Sequence, residues 1–115
     1  MEEKRQTRRV DCEGLASVQT LPAVGKPICA KIENLSEGGC LMKLEMPSAT
    51  DAPFELEQKV ELKFEVKQMP FRLLAHVKVF RSNTMIGFQF FDISERGKMH
   101  LQDLIDELRA PWARR

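Results

Sequence analysis

The sequence predicts an all-β domain, a six-stranded antiparallel β-barrel with one C-terminal α-helix. Three observations carry this. Apolar and polar residues alternate with period two through most of the chain, as half-buried strands require. The second face of these strands is polar, which fits antiparallel pairing with one side in water. Near Ile93 the period changes to that of a helix. Strands this short protect their edges best by closing into a barrel, with the helix over one opening.

The elements follow in order. Residues 1–9 are polar and charged and read as a mobile basic arm, and residues 10–115 as one barrel domain. Val10 to Val18 is the first strand, weakened by Gly14. Pro22 and Gly25 mark a turn. Ile28, Ala30 and Ile32 alternate with Cys29, Lys31 and Glu33 as a second strand. Asn34 to Gly39 is a tight turn, Cys40 to Leu44 a short strand, and 45–53 a loop with two prolines. Val60, Leu62, Phe64 and Val66 interleave with four charged residues, the plainest strand in the chain. Met69-Pro70 is expected to break it. Phe71, Leu73, Ala75, Val77 and Val79 then line one face of a long strand. Arg81 to Thr84 is a turn, and Ile86, Phe88 and Phe90 face inward beyond it. Phe64, Phe71, Phe88 and Phe90 are core residues by this periodicity. Leu101, Leu104, Ile105 and Leu108 form the stripe of a helix over about 94–109. Ser94 is its N-cap, Glu95 suits its first turn, and Pro111 ends it. Trp112 is expected to pack on the barrel or be loosely held.

Length and composition narrow the function. A chain of 115 residues holds one domain, and 43% hydrophobic with 30% charged residues is ordinary for a folded one. The net charge is only +1, which disfavours a nucleic-acid polymer as partner. No apolar run is long enough to cross a membrane, and MEEKRQTRR lacks the apolar segment of a secretory signal. Three cysteines without a C-x-x-C argue against a disulfide framework or a zinc knuckle. The expected setting is the reducing cytoplasm, with the thiols mostly buried.

Two short motifs could carry chemistry. Arg5 and Arg9, with Arg8 beside Arg9, place guanidinium forks on the arm. Each fork matches phosphate oxygens or a guanine O6/N7 edge. Taken alone, such a tail is usually just solvated. Asn34-x-Ser36-x-x-Gly39 places short donors and acceptors at a strand end, with a glycine where a ligand can approach the backbone. Taken alone, this is usually a hairpin turn. The second pattern arises by chance in about one chain of this size in twenty at ordinary residue frequencies. Its pairing with an earlier Arg-x-x-x-Arg is much rarer.

Together these residues resemble the signature of a stand-alone PilZ domain, the receptor module for bacterial cyclic di-GMP. Arg5-Gln6-Thr7-Arg8-Arg9 and Asn34-Leu35-Ser36-Glu37-Gly38-Gly39 match its two halves in order and spacing. The resemblance covers nearly the whole chain, and Gly87 falls where such domains often have a glycine in the last strand. It implies that Arg5 and Arg9 clamp ligand phosphates and guanine edges. Asn34 and Ser36 would then contact a guanine, Gly39 would permit close approach, and Arg8 would add a phosphate or stacking contact. It further implies an order–disorder switch of the arm that signals to an effector protein. The alternative is a PilZ-like interaction module that binds no nucleotide, although such relatives generally lack the arginine pair.

An enzyme is disfavoured, because no nucleophile–base–orienter set, metal cluster or phosphate loop is present. A barrel for single-stranded nucleic acid would want a basic groove and surface aromatics. His76 and Phe80 are placed on the outer face of the fifth strand. Phe80 is a candidate for stacking on a base, and His100 has no ligand-spaced partner.

Overall fold

The computed structural model describes residues 9–23, 25–45 and 54–109. Its elements are β1 (Val10–Thr20), β2 (Ile28–Leu35), β3 (Gly39–Leu44), β4 (Lys59–Val66), β5 (Met69–Phe80), β6 (Met85–Phe91) and α1 (Glu95–Arg109). The six strands close into a barrel in the order β1-β2-β3-β6-β5-β4, every pair antiparallel. Two meanders, β1–β3 and β4–β6, are thus joined along both sides. Closure leaves no strand edge over the paired lengths.

Alternation explains the core. On β4, Val60, Leu62, Phe64 and Val66 are buried while Lys59, Lys63 and Glu65 are exposed. Phe71, Phe88 and Phe90 are buried as the periodicity requires. Leu101, Leu104 and Ile105 of α1 complete the same core. Each is fully buried, which stabilises the helix position by about 1.5–3 kcal/mol per side chain. The Ser94 hydroxyl accepts from Gly97 N at 3.0 Å, the expected N-cap. His100 lies against the Phe71 ring at 4.6 Å, and Phe71 stacks on Phe64 at 5.1 Å, so the helix is also tied to the β4–β5 hairpin. Trp112 lies outside the described residues.

Four expectations need correction. The break after β4 falls at Lys67-Gln68, not Met69-Pro70. Both residues have left-handed φ, 53° and 65°, as a two-residue primed hairpin turn requires. Pro70 sits inside β5 opposite Glu65, and β5 acquires its second neighbour only from Leu74. A missing N–H is tolerated at such a one-sided position. Gly14 marks a register shift against β2 and not the end of β1, which runs on to Thr20. It lies so close to β4 that a Cβ would run into the Glu65 carbonyl oxygen.

Val79 does not face inward. A register shift between Val77 and Val79 turns it outward, where it is 40% exposed. The thiols are not uniformly buried either: Cys40 is buried, Cys12 half-buried and Cys29 exposed on an outward rung of β2. Burial, reinforced by Asp11, Glu33 and Glu13, pushes the Cys12 thiol up to about 11. Burial, with Cys12 adding, also pushes the Cys40 thiol up. Thiolate is the reactive form. An aromatic disulfide reagent near pH 8 should therefore titrate one thiol, Cys29, in the folded chain and all three in guanidinium. Two fast thiols under native conditions would contradict this.

Candidate functional site

The site lies on the outer surface of the barrel and is built from rungs that run across the strands. An inward rung, Val10–Leu35–Cys40–Phe88–Val77, is buried throughout. The adjacent outward rung is Asp11–Asn34–Leu41–Gly87–Val79. Simple alternation from Ile32 would put Asn34 inside. A bulge between Ile32 and Asn34 pairs it with the outward Leu41 instead. The bulge in β5 does the same for Val79, opposite Gly87. A Cβ on Gly87 would meet Val79 Cγ1 at 2.6 Å. Glycine therefore makes room for the Val79 side chain, which packs over it.

A cleft of about 450 Å³ spans these rungs from Arg9 to Lys78, Val79 and Arg81. That is within the usual range for a small-molecule site. Leu41 and Val79 contribute apolar surface, and Asn34 and Gln89 contribute amides. The ionisable lining side chains of ordinary charge are Arg9, Lys78 and Arg81, and none of the lining residues is acidic. The chain as a whole nearly balances 18 basic against 17 acidic residues, so the cleft is locally more basic than the chain.

The turn beside the cleft is held by Ser36. Its hydroxyl, on a residue only 7% exposed, accepts from Gly38 N at 3.3 Å and Gly39 N at 3.2 Å. It also donates to Gly39 O at 3.3 Å, while Ser36 N donates to the same oxygen at 2.8 Å. These bonds use the hydroxyl's donor and both its lone pairs. Phe90 N donates to Gly38 O at 2.8 Å, which ties the turn to β6. Gly39 faces the Phe88 carbonyl oxygen so closely that no Cβ fits.

The Asn34 amide and the guanidiniums of Arg9 and Arg81 have no partner among the described residues. Lys78 Nζ lies 2.9 Å from Glu57 Oε2. The cleft thus gathers Arg9, Asn34, Ser36 and Gly39 from the predicted set, while Arg5 and Arg8 lie outside the described residues.

Sequence reasoning missed Lys78, Val79, Arg81 and Gln89. The β5 bulge hides Val79 behind an alternation that reads as core, and Arg81 reads only as a turn residue. Phe80 and His76 do not line the cleft. Phe80 shares a rung with buried Ile86, and His76 stacks on Phe91 at 4.3 Å. Among the described residues no group of His, Cys, Asp or Glu is placed to hold a metal ion.

A closed barrel carrying a cation-lined cleft on its outer face presents a surface whose charge suits a small anionic ligand. The chain belongs to the PilZ domain family, which it matches over residues 3–107. Members are generally non-catalytic binding modules that typically bind cyclic di-GMP.

Among solved structures it is similar to the PilZ domain of YcgR from Escherichia coli with c-di-GMP. The TM-score is 0.72 and the identity 16%, covering 95% of this chain and 94% of that one. It is similar to the PilZ domain of CeSA from a cellulose-synthesizing bacterium, with TM-score 0.68 and 17% identity, covering 89% and 98%. It also resembles the Bacillus subtilis inhibitor of motility (MotI/DgrA), with TM-score 0.73 and 17% identity, covering 99% of this chain and 54% of that one. At these identities the likeness is one of fold. No curated protein matches the chain in sequence. Among the described residues no helix is long and apolar enough to cross a membrane.

Proposed function

We propose that this chain is a cyclic di-GMP receptor that signals to a partner protein. The observation that supports this best is the convergence of Arg9, Asn34 and Gly39 on one cleft lined by three basic residues and no acidic one. Two similar solved structures, the PilZ domain of Escherichia coli YcgR and YcgR itself, hold c-di-GMP.

In this reading the Arg9 fork takes a phosphate or a guanine O6/N7 edge. The free Asn34 amide meets the polar edge of a guanine. Leu41 and Val79 lie against a base face. Ser36 acts as a positioning residue, because its hydroxyl is already engaged in the turn. Arg5 and Arg8 close over the ligand from the arm. Ordering the arm costs about 1–2 kcal/mol per backbone residue, and each charge-assisted hydrogen bond returns about 1.5–3 kcal/mol. Roughly micromolar binding requires the bonds and contacts to exceed the ordering cost by about 8 kcal/mol. The closed arm then offers a new surface to an effector protein.

Calorimetric titration with cyclic di-GMP should give saturable, roughly micromolar binding, and GMP should bind far more weakly. No heat and no thermal shift with millimolar cyclic di-GMP would overturn the receptor reading and leave the interaction module.

A further inference from the structure

We infer that Lys78 and Arg81 form a second anion-binding wall of the cleft, and that Glu57 tempers it by holding Lys78. The inference rests on the cyclic di-GMP reading and adds where a phosphate is held and what opposes it.

The cleft is wide. Arg9 precedes Val10, and the rung from Val10 to Val77 crosses four strand intervals, roughly 19 Å along the curved sheet. One arginine cannot serve both rims. Lys78 and Arg81 stand at the far rim, at the bulge and the end of β5.

Arg81 is set on a fixed turn. Its N–H donates to Met85 O at 2.8 Å, and the Ser82 hydroxyl accepts from Met85 N at 3.1 Å. The guanidinium itself has no partner among the described residues. A rigid base with an unengaged fork suits a phosphate.

Lys78 is engaged by Glu57, and Glu57 cannot drift away. Its N–H donates to Val77 O at 2.7 Å, and Val77 N donates to Gln58 O at 2.9 Å. The Glu57 backbone is thus fixed beside the bulge, which keeps its carboxylate within reach of Lys78, where a phosphate must compete with it. Both members of the pair are exposed, so this competition weakens binding by at most about fivefold.

The test titrates cyclic di-GMP into the native chain and into Arg81→Ala, Glu57→Gln and Arg72→Ala. Arg81→Ala should weaken binding about 10- to 100-fold. Its affinity should also fall less steeply with salt than that of the native chain. Glu57→Gln should tighten binding by about two- to fivefold. Arg72→Ala should change nothing, because Arg72 pairs with Glu61 at 2.6 Å and does not line the cleft. Should Arg81→Ala lower the melting temperature, Arg81→Gln replaces it. Native affinity in the Arg81 and Glu57 variants would overturn the second wall and leave the receptor reading standing. Absence of binding by the native chain would overturn both.

Discussion

Replacing Gly39 by alanine is expected to lower the melting temperature by about 10 °C or more. The same change at Gly38 should stay within a few degrees, as surface substitutions do. The glycines are neighbours in one motif, yet their surroundings are opposite. A Cβ on Gly39 would run into the Phe88 carbonyl oxygen, which belongs to the β6 backbone. No rotamer change relieves that contact, so β3 must move away from β6 and loosen the Gly39–Gln89 rung. Overpacking of this kind costs about 1–3 kcal/mol, and a backbone obstacle puts it at the upper end. A Cβ on Gly38 would meet nothing within 4 Å. Thermal denaturation of the two variants checks the contrast, and equal melting temperatures would refute it.

Arg9→Ala should reduce cyclic di-GMP affinity by about 100-fold or more without changing the melting temperature. Two charge-assisted hydrogen bonds from one fork are worth about 3 kcal/mol at the low end, and every 1.4 kcal/mol is tenfold. Arg9 is exposed at the head of β1 and has no partner among the described residues, so folding does not depend on it. Calorimetry of the variant, with a melting curve on the same sample, separates the two effects. Undiminished affinity would remove Arg9 from the site. A fall in affinity together with a fall in melting temperature would mean that the residue acts through the fold.

Much of this molecule was legible before its structure. The four charged residues on one face of β4 leave a single way to turn that strand. Ser94 marks the start of α1, and the stripe from Leu101 to Ile105 marks the face that it buries. What could not be read is concentrated where the ladder is irregular. Periodicity carries a side chain to a face only while every residue has one partner. At Glu33 and Lys78 it does not, so Val79 reads as core and Asn34 has no face assigned. Gly14 reads as a weak point because steric proximity to β4 is a property of the pair, not of β1 alone. Arg81 is missed for a similar reason, since nothing local tells a turn arginine that borders a cleft from one in open solvent.

In the proposed receptor reading, the closed ring also limits how a filled cleft can be reported. Every strand has a bonded neighbour on each of its two sides, over part or all of its length. Sliding one strand would break two ladders at once, and a slip of one residue would turn its core side chains to water. The barrel is therefore mechanically stiff, and a ligand on its outer face cannot transmit through it by deformation. Information has to leave by the surface. A doubly negative molecule seated in the cleft would cancel the local positive field and replace a depression with a filled contour. A neighbouring protein would sense that change in relief and potential, not a strained barrel.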